Sequence, residues 1–288
     1  MIWRIPLAAF LISAVHADQV GPVPEKLRNE FKLSPFYTQC LMVDDFPIVA
    51  SAKVNPAALE EAKAIIGSML SQRKDIVAAL AKARIRLTVM ATSERTCDIP
   101  EHSDLKPAAY WNRRARGLGA TMERPSVSCA EENVLCLKSD PYSTENILVH
   151  EFAHAIEGVG LKETNPEFAG KLQKAYDAAM AAGKWKGKYA ASNVYEYWGE
   201  AVQSWFGTNR ENDSDHNYVN TRAELIEYDP EVAKLCAEVF GKNDWQYVRS
   251  DDPKRQNEAH LKNLDRSKLP VFEWSEEERK PMPEPKDQ

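Results

Sequence analysis

The sequence contains no apolar run of the roughly 20 residues that a membrane-spanning helix needs, so stable membrane insertion is not expected. It has no Cys-x-x-Cys pair, which argues against a zinc site built from thiolates, and no internal repeat, so the chain is not a repeat array. Positive charge is also scarce. Lys and Arg number 37 against 43 Asp and Glu, a net charge of −6, and a mildly acidic chain argues against a nucleic-acid partner. Gly117-Leu-Gly119 has part of the look of a phosphate loop but lacks the strand–turn–helix context. The spacing of a calcium-binding EF-hand is missing as well. Asn212-Asp-Ser-Asp-His216 therefore reads as an exposed acidic turn, with calcium over residues 212–217 as the alternative.

What is present begins with the amino terminus. Met1-Ile-Trp-Arg4 is followed by Ile5 to Val15 without a charge and then by His16-Ala17, the basic, apolar and small-residue layout of a secretory signal peptide. Residues 1–17 are accordingly set apart, and a secreted or periplasmic protein starting near Asp18 is expected. Five cysteines remain. In an oxidising compartment, disulfides are their first reading. Cys129 and Cys136 flank a short loop and make the leading pair, Cys40 and Cys97 the second. Cys236 sits in the apolar helical pattern Val232 to Phe240 and reads as a buried free thiol.

Residues 18–139 read as an α/β lobe. Phe36 to Val49 is rich in β formers and broken at Asp44-Asp45, which suggests a hairpin. Asn55-Pro56 opens a helix with Asn at the cap and Pro in the first turn. A second helix, Asp75 to Ala83, runs into the strand Ile85 to Ala91. Thr92 to Cys129 is irregular, with prolines at 100, 107 and 125. It carries His102, read as a hydrogen-bonded structural histidine with a cleft-lining role as the alternative. The basic run Arg113-Arg114-Ala-Arg116 reads as solvated or internally paired charge, or else as a contact for substrate carboxylate or backbone.

Residues 140–253 read as a mainly helical lobe, organised around Ile147-Leu-Val-His150-Glu151-Phe-Ala-His154-Ala-Ile156. His-Glu-x-x-His is the signature of a zinc-binding helix. An α-helix advances about 100° per residue, so His150 and His154 project from one side, one turn apart. Two neutral imidazoles so placed chelate one Zn²⁺, and Glu151 reaches a water on the metal as general base. Leu148, Phe152, Ala155, Ile156 and Val159 share the opposite arc, which docks the helix into a core. Ser143 or Thr144 is the expected cap, and Gly158 and Gly160 the expected stop. A second helix is announced by Asn165-Pro166 and ended by Gly183. Two more cover 221–227 and 229–240, and the polar residues 254–288 read as a frayed tail.

Catalytic zinc sites commonly use three protein ligands. The helix Asn193 to Phe206 offers the third, because Asn193, Glu196, Glu200, Gln203 and Ser204 lie on the arc opposite Val194, Tyr197, Trp198, Ala201, Val202 and Trp205. Glu196 and Glu200 are one turn apart, so one carboxylate can ligate while the other receives the free ring N–H of a zinc histidine.

Tyr189-x-x-x-Asn193-x-x-Glu196-Tyr-Trp-Gly-Glu200-Ala201, placed after His150-Glu-Phe-Ala-His154-Ala, resembles the peptidase domain of anthrax toxin lethal factor and its secreted relatives. The resemblance covers residues 140 to 206, and it departs at Ala153, where glycine is common. It implies a zincin-like α+β fold, a small mixed sheet lobe and a mainly helical lobe with the zinc site between them. It also implies Glu196 as third ligand, Glu200 and Asn193 as supporting residues, and Tyr189 as a phenolic donor near the zinc.

The resulting expectation is a secreted, monomeric zinc peptidase with one Zn²⁺ per chain and a peptide or protein substrate. A zinc hydrolase of a non-peptide amide and a non-catalytic zincin-fold binding module are the alternatives. The retained Glu151 speaks against the latter.

Overall fold

The computed structural model describes residues 19–280, so the expected signal peptide at 1–17 lies outside the described residues. Five strands form one mixed sheet in sequential order: β1 (Gly21–Pro22), β2 (Gln39–Val43), β3 (Phe46–Ala50), β4 (Arg86–Met90) and β5 (Ser126–Ala130). The first three run antiparallel to their neighbours, while β3, β4 and β5 are parallel. β2 and β3 form the expected hairpin, turning at Asp44 with φ 51°. Parallel strands need a crossover, and the two helices after β3 supply it.

Helix α1 (Glu25–Phe31) precedes the hairpin, and α2 (Pro56–Met69) and α3 (Lys74–Lys82) make the crossover. Asn55 caps α2 by accepting the amide of Ala57 at 2.9 Å. Both faces of the sheet are covered, so the strands are apolar on both sides. Leu41, Ile48 and Ala50 enter the main core with α2, whereas Cys40 and Met42 join Leu27, Phe31 and Tyr37 beneath α1. The irregular stretch holds α4 (Ala108–Arg114), and β5 leads into the single turn α5 (Glu131–Val134).

The helical part comprises α6 (Ile147–Ala155), α7 (Leu161–Thr164), α8 (Phe168–Ala181), α9 (Val194–Phe206), α10 (Arg222–Tyr228) and α11 (Pro230–Phe240). No helix among the described residues is long and apolar enough to cross a membrane. One buried apolar cluster runs from Leu41 in β2 through α6 and α9 to Leu261, so the sheet and the helices share a core.

Three expectations need correction. Gly158 and Gly160 do not end the helix begun at Ile147. A π-helical turn, Ile156–Gly160, carries it into α7, and a methyl group at Gly160 would lie 2.8 Å from Ile76 Cγ2, so this glycine admits α3. Residues 254–280 are not frayed. Leu261 and Phe272 are buried, and Arg255, Arg266 and Glu278 bond back to Glu61, Leu135 and Arg95.

The third correction concerns sulfur, because all five thiols are free. Cys129 is buried in β5, while Cys136, beyond the turn of α5, faces the Tyr247 hydroxyl at 3.4 Å. Cys40 lies under α1 against Met42, and Cys97 faces the carbonyls of Leu105 and Ala108. Apolar burial of Cys40 pushes its thiol up to about 12.

Candidate metal centre

Helix α6 is seated by its apolar arc. Leu148, Phe152, Ala155 and Ile156 are buried, and the Phe152 ring meets Phe46 of β3 edge-on at 5.8 Å between centroids. Its cap is Asn146, which accepts the amide of Val149 at 3.1 Å, where Ser143 or Thr144 was expected. The difference arises because Asn133 gathers the preceding turn. Its amide group donates to Asp140, Tyr142 and Glu145, and its carbonyl accepts the amide of Ile147 at 2.8 Å. The free amides of the helix start are thereby met by two asparagines.

Helix α9 lies against α6. Trp198 Nε1 donates to the carbonyl of Ala153 at 2.9 Å, and Asn193 caps the helix by accepting the amides of Tyr195 and Glu196, both at 2.9 Å. Asn193 therefore fixes the backbone from which Glu196 projects. Between the two helices, His150, His154 and Glu196 bring one donor atom each to within 4.8 Å of one another. Glu196 Oε2 lies 2.9 Å from His150 Nε2 and 3.7 Å from His154 Nε2. Burial alone would raise the Glu196 carboxyl, but hydrogen bonds from the two histidines hold it well below the usual carboxylate range.

The hydrogen-bond chemistry of this trio can be followed atom by atom. Gln203 donates its amide to Glu145 and to the carbonyl of Asn146, so its oxygen is the acceptor that faces His150 Nδ1 at 2.8 Å. His150 must then donate from Nδ1, which leaves the lone pair of a neutral ring on Nε2. That lone pair points at a carboxylate oxygen. Two acceptors at 2.9 Å require a cation between them, either a proton or a metal ion. Without a metal the proton serves. Burial disfavours it, but the Glu196 hydrogen bond and the Glu151, Glu200 and Glu196 carboxylates push the ring up to about 10. Two imidazoles and one carboxylate are a donor set able to hold a divalent metal ion, and one that catalytic zinc sites use.

Glu200 is buried beside this trio but does not take the ring N–H of His150, from which it stands 3.7 Å away. The nearer Gln203 has that role. Glu200 instead accepts from Asn209 at 3.0 Å and lies 3.3 Å from His216 Nε2. His216 is in turn bonded to Asp213 at 2.9 Å, which also accepts the amides of Asp215 and His216, so the acidic turn is closed on itself. The same turn holds Tyr189, whose amide donates to the carbonyl of Asp215 at 2.7 Å.

Glu151 lies between two cavities, of about 440 Å³ and about 690 Å³, and lines both. Burial raises its carboxyl above the ordinary carboxylate value, against the pull of His150 and His154. The Tyr189 hydroxyl also faces the cleft and accepts a hydrogen bond from Arg114 at 3.2 Å. Burial and the charge of Glu196 raise its pKa, so it stays protonated at neutral pH.

The basic run is divided three ways. Arg113 lies over the ring of Trp274, Arg114 reaches Tyr189, and Arg116 is buried on Glu132 at 2.7 Å. His102 is buried, lines neither cavity, and has no hydrogen-bond partner at either ring nitrogen among the described residues. Burial lowers its pKa to about 4, with help from Arg124.

Gly117-Leu-Gly119, discounted in the sequence as a phosphate loop, lies against α6. Leu118 pairs antiparallel with Ser128 of β5, its carbonyl accepting the Ser128 amide at 2.9 Å. Leu118 also donates its amide to Ser128 Oγ at 3.1 Å, and Gly117, Leu118 and Gly119 all line the larger cavity. A methyl group at Gly117 would lie 2.8 Å from the Ser128 carbonyl, and one at Gly119 would lie 2.8 Å from His154 Cβ. Both glycines let the backbone come down onto the helix. Two glycines spaced by one residue were the available signal for such an approach. Gln203 and Arg114 had none beyond their place on an arc and in a charge run.

No family model and no curated protein matches the chain. Among solved structures it is similar to the Pro-Pro endopeptidase of Paenibacillus alvei, at 17% identity and a TM-score of 0.40, over 68% of this chain and 98% of that one. At that distance, fold and chemistry rest on this chain's own residues.

Proposed function

We propose that the protein is a zinc-dependent peptidase, exported by way of residues 1–17, that hydrolyses peptide bonds with Glu151 as general base. The observation that carries this reading is the convergence of His150, His154 and Glu196 within 4.8 Å, beside Glu151 and open to a cleft. His150, His154 and Glu196 would hold one Zn²⁺, which supplies Lewis acidity toward a water molecule and the scissile carbonyl. The chain supplies the rest. Glu151, with a carboxyl raised by burial, takes a proton from the attacking water and passes one to the leaving amine. Tyr189, protonated and facing the cleft, donates to the carbonyl oxygen as it gains charge. The backbone at Leu118, bridged to β5 along the wall of the cleft, is a place where an extended chain would add alongside, which favours a peptide over a compact amide.

The test separates metal binding from turnover. In Glu151→Gln the shape of the site is kept and the base is lost. Zinc content should stay at one per chain, while hydrolysis of a mixed peptide library falls by on the order of 10²-fold or more. Replacing Glu196 with Ala should reduce zinc binding itself. A Glu151→Gln protein with full activity, or a Glu196→Ala protein with full zinc, refutes the assignment.

A further inference from the structure

The two cavities that meet at Glu151 differ in character. The smaller is walled by charged and polar groups, among them Arg114, Glu145, Arg210, Asp215 and His216. The larger, on the His154 side, has charged groups as well, Glu123, Glu157 and Lys162 among them, but one part of its wall is made by Tyr110, Trp111, Leu118, Met122 and Tyr195. Met122 is 61% and Tyr195 59% exposed, and both stand on this one cavity. One projects from the loop after Gly119, the other from the first turn of α9. Apolar surface left open on two walls of a cleft marks a place where another apolar group is received.

The direction of a bound peptide follows from the edge. Residues 117–119 run past Glu151 first and His154 second, since a methyl group at Gly117 would lie 3.1 Å from Glu151 Cγ and one at Gly119 2.8 Å from His154 Cβ. Beyond Gly119 the chain reaches Met122. Antiparallel pairing is the better-bonded and commoner mode for an added strand. A peptide paired antiparallel to this edge has its N-terminal part beside Met122 and its C-terminal part beside Arg114.

Resting on the peptidase reading above, we infer that the cleft selects a large apolar side chain, aliphatic or aromatic, within two residues on the N-terminal side of the scissile bond. Met122 and Tyr195 are the specificity-determining residues. The scissile bond then lies over Glu151, and the charged cavity receives the C-terminal side.

The experiment uses zinc-loaded protein and paired peptides carrying Phe or Gly at each of the two positions on either side of the cut, with cut sites mapped by mass. Phe on the N-terminal side should be preferred. In Met122→Ser/Tyr195→Ser the ratio of kcat/KM for Phe over Gly peptides should fall about tenfold, as when one wall of an apolar pocket is lost. Calorimetry on the zinc-loaded Glu151→Gln protein, which binds without cutting, should show the same Phe preference and its loss in the triple variant. Cleavage with a preference on the C-terminal side, with none, or with one that the substitutions leave intact overturns the inference and leaves the peptidase reading standing. A zinc-loaded wild-type protein that neither cuts nor binds any of the peptides overturns both.

Discussion

Arg114 and Tyr189 share one hydrogen bond at the mouth of the cleft, and its polarity has a chemical consequence. A guanidinium can only donate, so the phenol oxygen accepts at 3.2 Å and the hydroxyl proton is left to the side of the cleft where Glu196 lies. In a partly desolvated site the cation also polarises that hydroxyl. Replacing Tyr189 with Phe should lower kcat roughly 10²-fold with zinc retained, in line with loss of one oxyanion donor. Replacing Arg114 with Ala should lower it about tenfold. The two effects should not add, because Arg114 acts through a hydroxyl that Tyr189→Phe has removed. Steady-state kinetics of both single variants and the double would decide, and additive losses would mean that Arg114 meets the substrate directly. Residues such as these show the limit of the sequence. His150, Glu151 and His154 were legible because helical geometry alone brings them together. Arg114 reaches Tyr189 across 75 positions, and nothing in a run of three arginines says which one turns toward the cleft.

At the scale of elements, the helices that place the ligands were legible where their caps are local. Asn55 caps the helix that follows, as its place before Pro56 suggested, while Asn193, read as the first helical residue, is the cap of α9, and Asn146 displaces Ser143 and Thr144 because the distant Asn133 organises the turn. Helix α9 also contains a position whose identity is set by α6. A methyl group at Gly199 would lie 2.6 Å from His150 Cε1 and 2.8 Å from Nε2. In an exposed helix interior, alanine is favoured over glycine by about 1 kcal/mol. Here the ring cannot retreat, being held at Nδ1 by Gln203 and facing Glu196 at Nε2. Gly199→Ala should therefore displace His150 and weaken zinc binding by about 10- to 100-fold, the scale seen when the support of a metal ligand is disturbed. Competition with a chromogenic chelator would measure it. Unchanged affinity would mean that α6 and α9 approach less closely than 2.6 Å contacts require.

Across the whole molecule, the least legible feature is the return of residues 254–280 over the rest of the chain. Their composition is polar, and the two buried apolar anchors, Leu261 and Phe272, follow no helical or strand period. What holds the segment is a set of point contacts that only the folded chain brings into register. Arg95 pairs with Glu278 at 2.7 Å, and the Phe272 amide donates to Ser139 at 2.9 Å. The deepest contact is at Glu61 of α2, whose side chain is fully buried. Arg255 donates to both of its carboxylate oxygens, at 2.7 and 2.8 Å, and His260 adds a third bond at 2.7 Å. With Glu258 these groups have the donor types of a metal site, but the guanidinium already provides the positive charge. Such a pair contributes little net stability compared with an apolar pair of the same shape, yet removing one partner is costly because a buried charge is left behind. Arg255→Ala should destabilise the protein by about 3 kcal/mol, the lower end of that range, since His260 keeps part of the compensation. Replacing both Glu61 with Leu and Arg255 with Met should cost much less than the single change, because no charge is then stranded. Urea unfolding of the three proteins, read as a shift in midpoint at constant slope, would test this. If Arg255→Ala unfolds with the wild type, the segment is not fastened at Glu61, and its hold on the rest of the chain rests on Leu261 and Phe272.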